Sequence, residues 1–543
     1  MGGAAVSALR LAWVVCCLLL GSLTGQHLRW QMPVAGPSVT RYYWVGSFVD
    51  YNGDGYRDFL QLVSTPTTLY SYLLQVVSGL DGAILWQQSN PGAYSAAGGI
   101  AYAGDLDGDG IPDLAMKRAF AGLPAIEMYS MGQDTLLWRV VGAPGSEFGF
   151  RLVGDIDLNG DGHPDLLVST YSSTSAEVFA YDTRGQLLYV VPCLSQGRYP
   201  VSMCNMGDID RDGCEDFLIG CLDSTTRGCQ WLISGKTGST IRESFGILPG
   251  DQTSMLASNL GDIDGDGTND YAAFPSYSSA RTIAVAYSGA TGAVIRFWND
   301  APYSVVAGED FDQDGVNDIV TGTDWILGPG LYGRTYCYSG RDGSELWRVD
   351  VVPFPPGMGS TSNNWMWYAA SLGAPPGSPY PALAWVDTHW YTVGTSAGRV
   401  RVYDGVRAGQ GPVTGIACTS SGTLPLIGVR KLGAGSANTG FRTTVAKTHA
   451  NALAALNFAF APLATPVDLT PFGFAGCTAY VDPIASFLRV TGSTGIDRGY
   501  AAVDLPHPLS AAAVGTNVYA QWLVFEPTTG AHAATQMHTI RLP

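Results

Sequence analysis

The chain has 543 residues, of which 46% are apolar and 14% charged, and its formal net charge is −17. The length allows roughly two to four domains with sizeable cores. The apolar fraction excludes a disordered acidic chain, and the acidity excludes a nucleic-acid binder, which needs positive charge to displace counterions from phosphates. Low charge combined with 69 Gly, 31 Pro, 27 Tyr and 14 Trp points to an all-β, turn-rich protein.

Residues 1–25 read as a secretory signal peptide. Arg10 is the only charge, an apolar stretch runs from Leu11 to Leu20, and the small residues Ser22, Thr24 and Gly25 precede Gln26. The apolar stretch is short of the ~20 residues a membrane span requires. No later segment is long and apolar enough to span a bilayer, so the mature chain is expected to be secreted, extracellular or at the cell surface, or in a periplasm. Disulfides are allowed in those compartments. Cys418 and Cys477 are the natural pair near the carboxyl terminus. Cys193, Cys204, Cys214, Cys221 and Cys229 crowd one stretch, where Cys221 and Cys229 flank a hairpin loop. Their connectivity stays open, with Cys337 left over.

A repeat organises residues 27–408. Six segments share an acidic loop of nine positions: Asp50-Tyr-Asn52-Gly-Asp54-Gly-Tyr56-Arg-Asp58, Asp105-Leu-Asp107-Gly-Asp109-Gly-Ile111-Pro-Asp113, and Asp157-Leu-Asn159-Gly-Asp161-Gly-His163-Pro-Asp165. The other three are Asp208-Ile-Asp210-Arg-Asp212-Gly-Cys214-Glu-Asp216, Asp262-Ile-Asp264-Gly-Asp266-Gly-Thr268-Asn-Asp270, and Asp310-Phe-Asp312-Gln-Asp314-Gly-Val316-Asn-Asp318. Their fifth positions lie 55, 52, 51, 54 and 48 residues apart, a period that indicates a propeller or solenoid. A second element follows each loop, as in Val77-Ser-Gly-Leu-Asp-Gly-Ala-Ile-Leu-Trp86 and Tyr338-Ser-Gly-Arg-Asp-Gly-Ser-Glu-Leu-Trp347. An apolar strand, a Gly-rich turn and a second apolar strand spell a β-hairpin. Four antiparallel strands per repeat make one propeller blade.

A seventh copy has lost its acids. Gly373-Ala374-Pro-Pro376-Gly-Ser378-Pro-Tyr-Pro-Ala382 aligns without gaps to Gly261-Asp262-Ile-Asp264-Gly-Asp266-Gly-Thr-Asn-Asp270. It runs on to a third strand around Val400–Tyr403, but no fourth strand follows. The missing strand is expected at the other end of the chain, where Leu28-Arg-Trp30-Gln resembles Leu85-Trp86-Gln and Leu346-Trp347-Arg. A seven-bladed ring closed by the N-terminal strand has no exposed sheet edge.

The loop chemistry points to calcium, which takes six to eight oxygens in flexible geometry. Positions 1, 3 and 5 supply short oxygen side chains, position 6 is a glycine that lets the backbone reverse, position 7 offers its carbonyl, and position 9 closes the site. The expected ligand residues are therefore those named in the six loops, including Tyr56, Ile111, His163, Cys214, Thr268 and Val316 through their carbonyls. About six structural calcium ions are expected. Magnesium prefers to keep its water, and zinc lacks His or Cys at side-chain ligand positions. No ion is expected in the seventh blade.

These loops resemble the FG-GAP (also called VCBS) repeats of integrin α-chain propellers and many secreted bacterial proteins. Phe148-Gly-Phe-Arg-Leu-Val-Gly-Asp155-Ile-Asp157-Leu-Asn159-Gly-Asp161-Gly-His-Pro-Asp165 carries the resemblance best. It implies a calcium-stabilised propeller whose metal loops lie opposite the usual ligand face, and leaves the biological role open.

Composition changes near Gly409, where the acidity ends: residues 409–543 hold seven Lys/Arg and five Asp/Glu. Short apolar runs at Leu424–Val429, Phe441–Ala446, Leu453–Phe458, Phe487–Val490, Tyr500–Leu505 and Val518–Phe525 predict a β-sandwich. The run Asn451–Phe460 also reads as a short helix. Gly476-Cys477, Leu505-Pro506 and Tyr519-Ala-Gln-Trp522 resemble a small C-terminal module of secreted proteins from planctomycete-like bacteria, which implies no activity. The expected domains are a signal peptide at 1–25, a propeller over 26–408 and a sandwich over 409–543.

The catalytic signature HExxH is absent from the sequence. Gly328-Pro-Gly-Leu-Tyr-Gly333 matches GxGxxG but falls between two propeller strands, and Gly235-Lys-Thr237 falls in a repeat turn. The sequence thus reads as a secreted, monomeric binding or adhesion module for an extracellular protein or polysaccharide. The alternative is an extracellular polysaccharide-degrading enzyme on the same scaffold. The candidate ligand surface is Tyr171, Trp325, Trp365, Trp367 and Trp390, aromatic residues on the loops away from the acids, where stacked rings suit sugars or an apolar protein patch.

Overall fold

The computed structural model describes residues 27–32, 41–64, 72–90, 99–172, 176–194, 197–223, 228–245, 256–274, 283–299, 303–328, 331–350, 364–376, 378, 380–389, 399–404, 410–414, 417–419, 424–432, 440–472, 474–506, 516–525, 530 and 532–541. The expected signal peptide and Trp390 lie outside the described residues. Among the described residues no helix is long and apolar enough to cross a membrane.

The described residues up to Asp404 form seven four-stranded antiparallel sheets. The first takes Arg41–Ser47, Phe59–Ser64, Tyr72–Val77 and Ile84–Asn90 in sequence order. Five more repeat that order, beginning at Ile100, Leu152, Arg198, Leu256 and Tyr303. The seventh takes Asn364–Ser371, Leu383–His389 and Arg399–Asp404 from one end of the chain and His27–Gln31 from the other. From the second sheet to the seventh the first strands of neighbouring sheets pack side by side, and Asn364–Ser371 touches both Tyr303–Glu309 and Arg41–Ser47, which brings the seventh sheet against the first.

The propeller has no single core. Its buried apolar residues fall into seven clusters, each spanning one seam between adjacent blades. Leu60, Leu62 and Val76 of blade one meet Leu114 and Met116 of blade two. Phe217, Ile219 and Trp231 of blade four meet Ile156, Leu167 and Val178 of blade three. Val45 and Phe59 of blade one meet Leu372, Ala384 and Val402 of blade seven. Because each inner strand is covered on both faces, its sequence is a continuous apolar run rather than an alternation, as in Asp165-Leu-Leu-Val-Ser169, buried throughout.

Trp30 shows how the N-terminal strand enters this pattern. Its indole N–H donates to the Gly79 carbonyl of blade one at 3.2 Å, and its ring stacks on Phe59. Trp138 and Tyr189 do the same for the next blade along, donating to the Thr183 and Gly235 carbonyls. Arg29 adds a hydrogen bond to Asp404 within the seventh blade.

The remaining strands build a sandwich. One sheet contains Leu426–Leu432, Gly440–Ala446 and Ala501–Pro506. The other contains Gln410–Thr414, Met537–Arg541, Asn517–Phe525, Leu453–Ala459 and Ala485–Val490 along its main path. Val429, Phe441 and Val503 pack across onto Leu456, Trp522, Val524 and Ile540. The helical reading of Asn451–Phe460 is corrected here: Leu453–Ala459 is a central strand paired on both sides. Its double burial removes the alternation by which a strand is recognised. Cys418 and Cys477 are disulfide-bonded, and the six other described cysteines are thiols, with Cys221 and Cys229 directly opposite in register.

Closure through Trp30 is directly testable. Trp30→Ala removes a half-buried indole and its hydrogen bond, and is expected to cost about 2 kcal/mol. A clear drop in melting temperature by calorimetry is the expected result, and an unchanged one would show that the seam does not depend on this strand.

Candidate functional site

The acidic loop joins the first strand of a blade to the second, and the Gly-rich hairpin turn joins the third to the fourth. Antiparallel order therefore puts all six acidic loops and their hairpin turns on one face of the ring.

The six loops share one internal geometry. The N–H of the glycine at position 6 donates to the carboxylate of position 1 at 2.7 to 3.0 Å in Gly55, Gly110, Gly162, Gly213, Gly267 and Gly315. The N–H of position 5 donates to both position 1 and position 3, as in Asp266 to Asp262 and Asp264, each at 3.1 Å. Position 7 donates its N–H back to the carboxylate of position 5, as in Val316 to Asp314 at 3.0 Å and Tyr56 to Asp54 at 2.8 Å. The side chains at position 7 differ in kind, from Ile111 to His163 to Cys214, as expected where only the backbone matters. Position 6 needs φ between +80° and +90°, which glycine adopts without strain.

Position 9 is the buried member. Asp58, Asp113, Asp216, Asp270 and Asp318 are fully buried and Asp165 is 2% exposed. One oxygen of each accepts the N–H of position 2, from Tyr51, Leu106, Leu158, Ile209, Ile263 and Phe311, at 2.7 to 2.9 Å. In four blades the other oxygen accepts the N–H of the hairpin glycine: Gly79, Gly235, Gly289 and Gly340. Glycine is required there because a Cβ on Gly289 would fall 1.7 Å from the Asn269 carbonyl oxygen. Blades two and three lack that glycine, and in them the second oxygen, Oδ1 of Asp113 and of Asp165, is buried without a hydrogen-bond partner.

Such an orphaned oxygen suits a hard cation. In four loops the carboxylates at positions 1, 3 and 9 bring ligand oxygens within 4.8 Å of one another: Asp105, Asp107 and Asp113; Asp208, Asp210 and Asp216; Asp262, Asp264 and Asp270; Asp310, Asp312 and Asp318. The other two loops carry Asn52 and Asn159 at position 3, whose amide oxygens accept the same N–H bonds from Asp54 and Asp161. The donor set is all oxygen, acidic and partly open, the chemistry of a calcium loop.

Burial, opposed by backbone N–H donors and reinforced by neighbouring carboxylates, pushes Asp113 and Asp216 up to about 6 and Asp165 and Asp270 up to about 7. Clustered acids without a cation hold on to protons.

The seventh loop keeps the neck and loses the acids. The Leu372 N–H donates to the Ala382 carbonyl and the Ala382 N–H to the Gly373 carbonyl, as Ala103 donates to Asp113 and Asp113 to Gly104 in blade two, while Ala374, Pro376, Ser378 and Ala382 stand where the ligands would be. Sequence reasoning missed the eighth position: Asn269 and Asn317 donate to the carbonyls of Met206 and Leu260 on the preceding blade, and Glu215 accepts the Asp157 N–H. The Asn-Asp ending of the fifth and sixth loops was the available signal.

On the opposite face, Tyr171 is half-buried, stacked on Phe150 at 4.9 Å and edge-on to Tyr199 at 5.8 Å. Trp325 lies in the far half of Asp318–Gly328, and Trp365 and Trp367 at the start of Asn364–Ser371, both at that same end of their strands. The surface residues are thus distributed over blades three, six and seven rather than brought to one point.

A ring of four-stranded blades with an acidic loop in six of them defines a β-propeller with cation-type loops. The FG-GAP-like repeat family matches residues 157–219, which hold the third and fourth loops. Integrin alpha-3 of Cricetulus griseus is 28% identical over 28% of this chain and 16% of its own length, and integrin alpha-7 of Rattus norvegicus is 31% identical over 23% and 12%. The chain therefore spans only a small part of these relatives. The β-propeller domain of Cps50 (Swd1) from Myceliophteria thermophila aligns over 70% of this chain and 99% of that one, at 9% identity and a TM-score of 0.41, so the fold rests on the strand pairing itself. Residues 157–219 therefore carry FG-GAP-like repeat sequence within a β-propeller.

The raised carboxylates set a pH dependence. Without cation, the folded chain keeps protons on Asp113, Asp165, Asp216 and Asp270 between about 4 and 7, where the unfolded chain releases them. Stability of the metal-free form therefore falls as pH rises through that window, and cation affinity rises through it. In chelator the melting temperature should be higher at pH 5.5 than at pH 7.5, and calcium titrations should show weaker binding at the lower pH.

Proposed function

We propose that the protein is a secreted, calcium-stabilised propeller that works as an extracellular binding or adhesion module for a protein or glycan, with calcium in a structural role. The observation that carries this reading is the separation of the two faces. All six acidic loops lie on one face, each with the same hydrogen-bonded frame, and Tyr171 and the strand ends that carry Trp325, Trp365 and Trp367 lie on the other. An ion in these loops bridges the carboxylates that otherwise repel one another, and so ties the two halves of a blade together through position 9.

The residues that would hold calcium are the side chains at positions 1, 3, 5 and 9 of each loop, with the backbone carbonyl at position 7. The ion supplies the positive charge that clustered acids need in order to stay ionised at neutral pH. On the other face, Phe150, Tyr171 and Tyr199 form a partly exposed aromatic group, with the Arg151 guanidinium over the Phe150 ring at 4.7 Å. Rings held in this way stack on sugars or on apolar protein side chains. Localisation outside the cell and a monomeric state belong to the same proposal.

Two measurements test it. Verified calcium removal at pH 7.5 should lower the melting temperature by ten degrees or more, on the order expected when several bound ions are lost; an unchanged value would sink the structural role. On a panel of extracellular polysaccharides and matrix proteins, binding without product release is expected. Tyr171→Ala should weaken that binding about tenfold while the melting temperature stays within a few degrees.

A further inference from the structure

Loops one to four differ from loops five to seven in what lies over them. The sandwich covers the last three. At loop five, the backbone of Gly495 and Ile496 approaches so closely that a Cβ on Gly265 would fall 2.1 Å from the Ile496 nitrogen, and the Ile496 side chain packs with Leu260 and Ile263. At loop seven, the Tyr380 hydroxyl is hydrogen-bonded to Nε2 of the buried His538.

Loop six lies between them. Arg430, from the sandwich strand Leu426–Leu432, places Nη1 3.5 Å from Oδ2 of Asp312. Arg341, from the hairpin turn of blade six, places Nε 3.2 Å from Oδ2 of Asp314 and donates through Nη2 to the Asp314 carbonyl at 2.9 Å. The Tyr500 ring of the sandwich covers the Arg341 guanidinium at 3.6 Å. Gly428 sits over the Asp312 carbonyl, where a Cβ would fall 2.2 Å from the oxygen. As a result Asp312 and Asp314 are at most 2% exposed, whereas positions 3 and 5 of loops one to five are exposed or half-buried.

This enclosure leaves a charge deficit. Asp310, Asp312, Asp314 and Asp318 face Arg341, Arg430 and the charge of Lys447. Both arginines are also shared with acids outside the loop: Arg341 donates to Asp497 at 2.8 Å, and Arg430 to Asp342 at 3.2 Å. Negative charge closed off from water is costly unless it is cancelled.

We propose that the sandwich is a cover for the sixth loop, and that a calcium ion enclosed there clamps the two domains together, with Arg430 and Arg341 holding the outward carboxylates. The inference rests on the calcium reading of the loops. It makes the sixth ion different in kind from the other five: their loops keep positions 3 and 5 at least partly open to solvent, loop five included, and this one exchanges only when the sandwich lifts.

The test is isotope exchange on the full chain, loaded with radioactive calcium and mixed with excess unlabelled calcium. One ion is expected to leave about tenfold or more slowly than the rest. Arg430→Ala should bring that ion to the common rate without changing the total bound, and Asp314→Asn should remove the slow ion alone. The Asp314→Asn chain keeps the test open if the arginine variant does not fold. If all ions leave at one rate, the clamp is overturned while the calcium loops stand. If the slow ion, or the full ion count, persists in Asp314→Asn, the ion does not sit in the sixth loop and the clamp is overturned. If no calcium binds at all, the loop reading fails and the clamp with it.

Discussion

The buried carboxylate at position 9 is the constraint on which each blade turns. It sits at or near zero exposure, its hydrogen bonds reach the start of its own loop and the far hairpin of its blade, and its charge has to be cancelled inside the protein. Everything local follows from satisfying that group. The tight loop aims the N–H of position 2 at one oxygen, and the Ser-Gly turn brings a second N–H to the other, with glycine admitted only because a side chain would strike the neighbouring carbonyl. Where the glycine is missing, in blades two and three, that oxygen is buried without a hydrogen-bond partner.

The ring adds a second requirement, that no blade stand alone. Each sheet buries apolar residues on both of its faces, and seven seams are needed for seven blades. The seam between blades seven and one therefore has to be built as well as any other, and the strand carrying Trp30 completes it from the opposite end of the chain. Antiparallel order then sorts the chemistry by face: acids and hairpins on one side, aromatic loops on the other. The sandwich joins the acidic side, over loops five to seven.

Much of this was legible in the sequence because the repeat multiplies weak signals. A single acidic loop is ambiguous, but six with the same nine positions define a frame in which even the acid-free seventh copy, Gly373 to Ala382, can be aligned. Six of the strands after Gly409 were legible to within three residues from their apolar runs, whereas Gln410–Thr414, Pro462–Asp468, Thr478–Val481 and Met537–Arg541 were missed. Leu453–Ala459 was ambiguous for the opposite reason: a strand covered on both faces carries no alternation to distinguish it from a buried helix. The aromatic residues Tyr171, Trp325, Trp365 and Trp367 fall on blades three, six and seven, and no local pattern could assign them to a common point, because that depends on the rotation between blades.

What the sequence determined by itself, then, was everything carried by local periodicity: the strand order within a blade, the oxygen donors and their spacing, the missing acids of blade seven and the Cys418–Cys477 pairing. The tertiary structure alone decided what depends on long-range contact. It placed Arg430 and Tyr500 over a loop more than a hundred residues earlier, and it drew Asn269, Asn317 and Glu215 onto the preceding blade. No spacing encodes such contacts, since they arise only when the curvature of the ring and the docking of the sandwich bring distant charges together out of water.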